Sequence, residues 1–452
     1  MDYKYFKDII ELKEYATNND ISNIIVKFCN LTSDNIVNNI NIFKKIKCLD
    51  CSRTQITEIP KELVNLQYLK CFNTSIQYIS KELTSLQELD CSRTQITEIR
   101  KELINLTILY CYDTKITEIP ISFVNLQQLI CFRTQITEIP KELINLKFLN
   151  CYDTKITEIP KELVNLQYLY CSDSLITEIP KELTSLQKLN CSRTQITEIP
   201  KELINISRLD CQGTYITMIP KELINLHSLY YSDSMITEIP VSFVKLQELS
   251  CSKTQIIEIP KEFVNLQYLD CSRTQITEIP VSFVKLQELN CSKTQIIEIP
   301  KEFINLQYLD CSRTQITEIP VSFVKLQELD CSVTRITEIP KELVNLQQLF
   351  CCETSTKEIP KELVNLITLN CSKTLIKEIP KELSKLKKLY CTDTRITKIP
   401  VTLDLLIYIK SDLIILSKHE ENVKKYKNEI KDIIKNNNVL NDDVNNLLCS
   451  YI

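Results

Sequence analysis

The strongest constraint on the fold is a twenty-residue repeat that runs in unbroken register from Cys51 to Cys391. One copy reads LQYLKCFNTSIQYIS over residues 66–80. Apolar residues keep fixed positions in every copy, and a fixed period of this length is typical of a solenoid of stacked repeats rather than of a globular domain. We therefore predict a long coil in which each repeat forms one turn.

Each repeat contains one short segment with the pattern of a half-buried β-strand. Leu69 and Cys71 alternate with Tyr68, Lys70 and Phe72, which is the period of two expected when one face of a strand is buried. Stacking of the repeats places these strands side by side. The sequence therefore predicts one parallel sheet with a buried face and an outward face.

Two further positions in the repeat indicate how the chain turns. The position of Thr74 is Thr or Ser in all eighteen repeats, and an inward hydroxyl at a turn would satisfy backbone groups removed from water. All 16 prolines, from Pro60 to Pro400, share another position, which must lie outside the sheet because proline cannot donate a backbone hydrogen bond. The segment after each proline has room for about one helical turn.

These positions resemble the leucine-rich repeat family. The family segment L-x-x-L-x-L-x-x-N-x-L is met here by Leu66, Leu69, Cys71, Thr74 and Ile76. The resemblance implies an α/β solenoid with a curved parallel sheet on the concave face, short turns or 3-10 segments on the convex face, and helical caps. Threonine replaces the family asparagine, so we expect a ladder of hydroxyls. Repeat length is similar to that of bacterial effectors, and composition looks like that of leucine-rich repeat proteins of large DNA viruses of amoebae (mimivirus-like).

Most cysteines of the chain belong to one column of the repeat. Seventeen of the 21 occupy the position of Cys71, and only Tyr231 interrupts the column. A residue that recurs at one inward position behaves as a small buried hydrophobe, and buried free thiols fit a reducing cytosol. Zinc is the alternative, but a straight column spaced about 4.8 Å apart does not gather four ligands around one point. The remaining cysteines are Cys29, Cys48, Cys352 and Cys449.

The repeats divide the chain into three predicted regions. Residues 1–45 do not repeat, and their apolar residues between Phe6 and Tyr15 fall near helical spacing, which favours an N-terminal helical cap. The repeat array covers residues 46–410 with about 18 units. Residues 411–452 contain an amphipathic pattern that favours a C-terminal helical cap. Caps are expected because the terminal repeats of a solenoid would otherwise expose their apolar ends.

Charge and hydropathy exclude several classes of protein. The formal net charge is −4, so the chain lacks the basic footprint of a general nucleic-acid binder. The first twenty residues mix acids with bases and have no apolar signal core, and no run of about 18 apolar residues could span a membrane. We therefore expect an intracellular and cytoplasmic protein with no nucleic-acid or membrane partner.

Catalytic motifs are missing from the sequence. The two histidines, His227 and His419, lie far apart, and the single glycine, Gly213, cannot form a phosphate loop. The recurring Glu58 and Glu62 positions read as a solvated charged surface. The resembling bacterial effectors sometimes carry a ubiquitin-ligase domain with a cysteine nucleophile, but about forty residues after Lys410 are too few for such a domain. We expect no enzyme activity, cofactor, metal or small-molecule substrate.

The candidate binding site is a group of aromatic residues on the outward face of the predicted strands. Aromatic side chains with few neighbours to cover them can form an interaction hot spot, although Tyr and Phe also suit strands and stack across them. Asp113 and Asp153 flank the group. The candidate residues are Tyr110, Tyr112, Phe132, Arg133, Phe148, Tyr152, Tyr168 and Tyr170.

Three functions remain open from the sequence. The first is a non-catalytic scaffold that binds an unknown protein partner on the concave face. The second is an effector or adaptor subunit of an enzyme complex, such as ubiquitin transfer. The third is an abundant structural protein. The near-identical repeats and the forty-residue doublet that contains VSFVKLQEL favour this function. Partner capture, a ligase assay on the purified chain and a measurement of copy number distinguish the three.

Overall fold

A computed structural model describes residues 3–22, 25–28, 30–397, 399–400 and 403, and the backbone of 408–410. The chain divides into two compact units, residues 1–256 and 257–452. The predicted C-terminal helical cap, residues 411–452, and the cysteines Cys29 and Cys449 lie outside the described residues.

The first unit combines a short mixed segment with eleven repeat strands. Its strands pair in parallel, each with the next in the chain, from β1 to β13. The elements are β1 (Tyr3–Phe6), α1 (Ile9–Asn18), β2 (Ile25–Phe28), α2 (Ser33–Val37), α3 (Ile40–Phe43), β3 (Cys48–Asp50), β4 (Tyr68–Lys70), β5 (Glu88–Asp90), β6 (Ile108–Tyr110), β7 (Gln128–Ile130), β8 (Phe148–Asn150), β9 (Tyr168–Tyr170), β10 (Lys188–Asn190), β11 (Arg208–Asp210), β12 (Ser228–Tyr230) and β13 (Glu248–Ser250).

The second unit continues the same pattern of three-residue strands. Its strands also pair in parallel in sequence order. They are β14 (Tyr268–Asp270), β15 (Glu288–Asn290), β16 (Tyr308–Asp310), β17 (Glu328–Asp330), β18 (Gln348–Phe350), β19 (Thr368–Asn370), β20 (Lys388–Tyr390) and β21 (Tyr408–Lys410).

The N-terminal segment contains the helix that the sequence predicts, together with two strands that it does not predict. Helix α1 is present, and the Asp8 carboxylate caps it by accepting from the amides of Ile10 and Glu11. Strands β1 and β2, however, extend the parallel sheet beyond the repeats. The sheet therefore begins before the first repeat, and the N-terminal segment contains both helices and strands.

The predicted inward columns form the core of both units. Leu66, Leu69, Cys71 and Ile76 are each 0% exposed, and their equivalents in the other repeats are buried as well. Each strand residue pairs with the residue twenty positions later, so that Leu69 lies opposite Leu89 and Leu89 lies opposite Leu109. Because every inward side chain meets its own copy one turn away, one set of residues builds a continuous core.

The turn after each strand depends on a hydroxyl and a left-handed residue. Thr134 Oγ1 donates to the carbonyl oxygen of Cys131 at 2.6 Å, and the same bond recurs along the array, which confirms the predicted hydroxyl ladder. The residue before the threonine has a positive φ, for example 52° at Arg133. The sequence gives only a partial sign of this conformation, because one glycine, Gly213, occupies the position, although Asn or Asp, which tolerate positive φ, occupy it in six other repeats.

A second polar ladder joins consecutive repeats at the turn that precedes each strand. Asn165 Nδ2 donates to the carbonyl oxygen of Ile144 at 2.9 Å, and Asn145 Nδ2 donates to that of Val124 at 2.8 Å. Where lysine replaces this asparagine, as at Lys245, its Nζ donates to the preceding asparagine side chain. Asparagine side chains therefore also form a ladder, at a position of the repeat for which the sequence predicted none.

The proline position lies outside the sheet, as predicted. The carbonyl oxygen of Pro160 accepts from the amide of Leu163 at 3.2 Å, and the carbonyl of Leu163 accepts from that of Leu166 at 3.0 Å. These are single turns rather than helices. They return the chain to the next strand and leave the charged residues between Pro160 and Leu163 in solvent.

Candidate partner-binding surface

The outward residues of the strands share one face, which we call the strand face. It carries the positions equivalent to residues 68, 70 and 72, which alternate with the buried Leu69 and Cys71. Since successive strands stand about 4.8 Å apart, side chains at one position contact their copies in the next repeat. Sequence differences at these positions therefore combine into surfaces that no single repeat contains.

Four aromatic rings form a row at the position of residue 72. Tyr112 and Phe132 are stacked, with ring centroids 4.4 Å apart and planes inclined by 12°. Tyr152 packs against Phe132 at 6.2 Å, and Phe72 reaches Tyr112 at 6.4 Å across the buried Ser92. The sequence did not predict Phe72 as a site residue. The next repeat has Ser92 at the same position, and Phe72 contacts the ring of Tyr112 two repeats away.

A second group of rings lies at the two strand positions of β8 and β9. Phe148 packs against Tyr168 at 6.0 Å and against Tyr170 at 5.5 Å. Tyr110 is half-buried on the same face but makes no ring–ring contact with the described residues. The structure therefore brings together six of the seven predicted aromatic residues, in two groups.

Alternating charges line the row of rings. The Asp113 carboxylate accepts from Arg93 Nε at 3.1 Å and lies 4.0 Å from Arg133 Nη1. Arg133 Nε lies 3.6 Å from the Asp153 carboxylate. Each pair is solvent-exposed, so each adds little to the free energy of unfolding. Their effect is to hold the guanidinium groups in place beside the rings.

The arginines also cover the faces of the aromatic rings. The Arg93 guanidinium carbon lies 5.6 Å from the Phe72 centroid, and that of Arg53 lies 5.5 Å from the same ring. Arg133 lies 5.6 Å from the centroid of Tyr152. Cations at this distance are attracted by the ring electrons. Together the rings and guanidinium groups form a surface that is apolar and also rich in hydrogen-bond donors.

Burial alters the acidity of the tyrosines at this surface. Burial raises the pKa of Tyr112, and the nearby Asp90 carboxylate raises it further. Burial likewise raises the pKa of Tyr110, with a second contribution from Glu88. Both hydroxyls therefore stay neutral at physiological pH. A partner would meet uncharged hydroxyls, which can donate or accept a hydrogen bond.

A polar cluster on β11 to β13 escaped the sequence analysis. Arg208 Nη1 lies 3.3 Å from the Glu248 carboxylate, and the Tyr230 hydroxyl donates to the same carboxylate. The Arg208 guanidinium also lies 4.7 Å from the Tyr230 centroid. Burial together with Glu248 raises the pKa of Tyr230 to about 12. The three residues come from three repeats, so only the folded coil brings them together.

His227 is the one histidine among the described residues. His227 Nδ1 lies 2.8 Å from the carbonyl oxygen of Asn225. No group of three or more metal-ligating side chains occurs in the part of the chain that the structure describes. In the same residues, no helix has the length and hydropathy needed to cross a bilayer.

A comparison with protein families agrees with the repeat geometry. The model of the Leucine Rich Repeat family matches residues 265–286 and 305–326. Two stretches of the chain, around β14 and β16, are thus similar to leucine-rich repeats. The matched residues cover β14 and β16 with their flanks, while the other repeats follow the same geometry with cysteine and threonine in the family's leucine and asparagine positions. A search of curated proteins found no match to the chain.

Solved leucine-rich repeat structures share this fold. The functional domain of InlJ from Listeria monocytogenes, which includes a cysteine ladder, is 27% identical over 70% of this chain and 76% of its own, with a TM-score of 0.63. YopM from Yersinia enterocolitica is 22% identical over 81% of this chain and 87% of its own, with a TM-score of 0.62. The Arabidopsis receptor kinase HAESA, in complex with the peptide hormone IDA and the co-receptor SERK1, is 21% identical over 86% and 73%, with a TM-score of 0.60.

Proposed function

We propose that the chain is a non-catalytic scaffold that binds a protein partner on its strand face. The contact region is the aromatic surface, which we define by its rings and by Arg93 and Arg133. The observation that carries the proposal is the clustering of aromatic residues in neighbouring repeats, whereas the inward columns scarcely vary along the chain. The rings are Phe72, Tyr112, Phe132, Phe148, Tyr152, Tyr168 and Tyr170.

The physical chemistry of this surface suits protein recognition. Aromatic and arginine side chains supply most of the energy at interfaces, and they cluster at the centre of the contact. Here the ring stack and the ion pairs of Asp113 fix these side chains before a partner arrives. Little side-chain entropy is then lost on binding. The complex of HAESA with a peptide hormone supports the use of this fold for binding.

The buried thiols support the absence of catalysis. Burial raises the pKa of the column cysteines, such as Cys111 and Cys131, well above the ordinary value. The thiolate is the reactive form, so a buried neutral thiol is a poor nucleophile. We expect the purified chain to show no ubiquitin-transfer activity. Ligase activity of the chain alone in a standard assay would contradict this part of the proposal.

Replacement of three rings of the row tests the binding surface. The variant Tyr112→Ser, Phe132→Ser, Tyr152→Ser removes three of the four rings while leaving every inward column intact. We expect it to keep the far-UV spectrum of the parent and to lose the partner. The measurement is affinity capture from cells of the natural source, followed by quantitative mass spectrometry of the retained proteins.

A matched variant separates the surface from general effects of lost aromatic residues. Tyr268→Ser, Tyr308→Ser, Phe350→Ser removes three rings from the strand face of the second unit. We expect this variant to capture the same proteins as the parent chain. Equal capture by the first variant and the parent would show that the aromatic surface is not the contact region.

A further inference from the structure

A long groove follows the proline turns of the first unit, on residues that the aromatic surface does not use. Its volume is about 1310 Å³, and it extends over six repeats, from Ile121 to Pro240. Its floor is formed by prolines and by isoleucines such as Ile159 and Ile179. These isoleucines are only 3% and 4% exposed, so most of the accessible apolar surface of the floor comes from the half-buried prolines.

The sides of the groove carry rows of charge. Each typical repeat contributes a glutamate before the proline, as at Glu158, and a lysine and a glutamate after it, as at Lys161 and Glu162. The lining contains ten glutamates and five lysines. Among the described residues, none of these fifteen side chains belongs to an ion pair. An excess of five negative charges therefore faces solvent along an apolar floor.

The dimensions of the groove match an α-helix. Six repeats at about 4.8 Å each span about 29 Å, and a helix of 18 residues is about 27 Å long. The two glutamate rows stand four residues apart, at most about 14 Å, while a helix with its side chains is about 10–12 Å wide. One helical turn rises about 5.4 Å, so successive turns meet successive repeats.

We propose that this groove binds a basic amphipathic helix of a partner protein. The apolar face of the helix lies on the proline and isoleucine floor, and lysine or arginine side chains on both flanks meet the two glutamate rows. Charge complementarity selects the occupant, because the same sign of charge repels nucleic acid and acidic peptides. An extended segment fits less well, since its side chains on one face recur about every 6.6 Å, out of step with the repeats.

Titration with a designed peptide tests the proposal directly. The probe is an 18-residue peptide of leucine and lysine, with the leucines on one helical face and lysines on both flanks. Binding to the full chain is measured by fluorescence anisotropy and by circular dichroism of the peptide. We expect saturable binding of up to two peptides, because residues between Val281 and Pro400 of the second unit line a groove of the same residue types. We also expect helix formation on binding and an affinity that falls about tenfold or more as the salt rises from low to high concentration.

Variants of the groove provide the matched comparison. Glu162→Gln, Glu182→Gln, Glu202→Gln should weaken binding to the first-unit groove about tenfold, because three charges lose their partners, and should leave the second-unit groove unchanged. Glu88→Gln, Glu248→Gln, Glu288→Gln makes the same change in net charge on the strand face and should leave the affinity unchanged. Lys161→Gln, Lys181→Gln should tighten binding, which a loss of folded structure could not do.

Two outcomes would overturn the proposal. One is equal binding by a scrambled peptide of identical composition, which would show charge attraction without a helical site. The other is equal weakening by the two glutamate variants, which would place the peptide elsewhere. The aromatic variant Tyr112→Ser, Phe132→Ser, Tyr152→Ser should bind the peptide with the affinity of the parent chain. The proposals for the aromatic surface and for the groove are therefore tested separately.

Discussion

At the scale of single residues, the left-handed position after each strand is the least expected feature. All eighteen repeats place a residue there with φ between 52° and 63°, and seventeen of these residues are not glycine. A left-handed conformation costs a residue with a Cβ about 1–2 kcal/mol. Every repeat nevertheless keeps this conformation, because the threonine hydrogen bond and the backbone hydrogen bonds to the next repeat hold the turn.

Opposite substitutions at this position test the strain. Lys293→Gly should raise the free energy of unfolding by about 1 kcal/mol, because glycine adopts φ near 57° without a steric penalty. Gly213→Ala should lower it by a similar amount, since the added Cβ would lie 3.3 Å from Arg193 Cγ at φ 63°. Urea unfolding followed by circular dichroism measures both, and a shift of the same sign in both variants would contradict the explanation.

At the scale of elements, the cysteine column is a row of buried thiols that neighbour one another. Cys51, Cys91 and Cys171 donate through Sγ to a carbonyl oxygen of the next repeat, at 3.3, 3.5 and 3.4 Å. Burial raises the pKa of the column thiols, for instance that of Cys151 to about 12. The column is thus neutral and apolar at physiological pH, which explains why cysteine can stand in the place of a leucine.

The column predicts a loss of stability at alkaline pH. Thiols of the unfolded chain ionise near pH 9, whereas the folded chain keeps its protons until the raised pKa is reached. The stabilisation is therefore complete at about pH 7.5 and falls as the pH rises from there toward 12, by up to about 1.4 kcal/mol per pH unit for each thiol. Urea midpoints measured in reductant at pH 7.5, 8.5 and 9.5 should decrease steeply over the last step.

A variant of the column serves as the control for that pH effect. Cys131→Ala, Cys151→Ala, Cys171→Ala removes three of the thiols whose pKa burial raises. The variant is expected to be less stable at pH 7.5 because it leaves cavities, yet its midpoint should decline less between pH 8.5 and 9.5. An unchanged decline would mean that other groups cause it.

The elements also show which features a sequence can reveal. Leu69, Cys71 and Thr74 were predictable because each keeps one position in the repeat, and burial or turn formation follows from the residue type. Strands β1 and β2 were not predictable, because they precede the repeats and have no periodic pattern. The bond from Asn165 to the Ile144 carbonyl was also missed, since asparagine at a loop position does not specify its acceptor.

The candidate site was predicted only in part, for a physical reason. A tyrosine on the outward phase of a strand can be assigned to the strand face from periodicity alone. Whether it stacks depends on rotamers and on the neighbouring repeats, as the contact of Phe72 with Tyr112 across Ser92 shows. The proline groove is a property of several repeats together, and the recurring Glu58 and Glu62 positions read only as charged surface.

At the scale of the whole molecule, each compact unit is a one-dimensional stack. A repeat contacts its neighbours in sequence, so stability is close to a sum of repeat and interface contributions. The inward columns must stay uniform for the stack to continue, while the strand face and the proline turns are free to change. Two surfaces on different sides of the same repeats can therefore recognise different partners.

The central claim is that every twenty-residue repeat is one turn of a coil, with its column cysteine, or Tyr231 in one repeat, inside. Alkylation of the native chain at pH 8, quantified for each cysteine by mass spectrometry, tests it most directly. Cys352, which is half-buried on the strand face, should be modified readily. The column cysteines from Cys51 to Cys371 should remain protected until the chain is unfolded. Modification of the column at the rate of Cys352 would contradict the account.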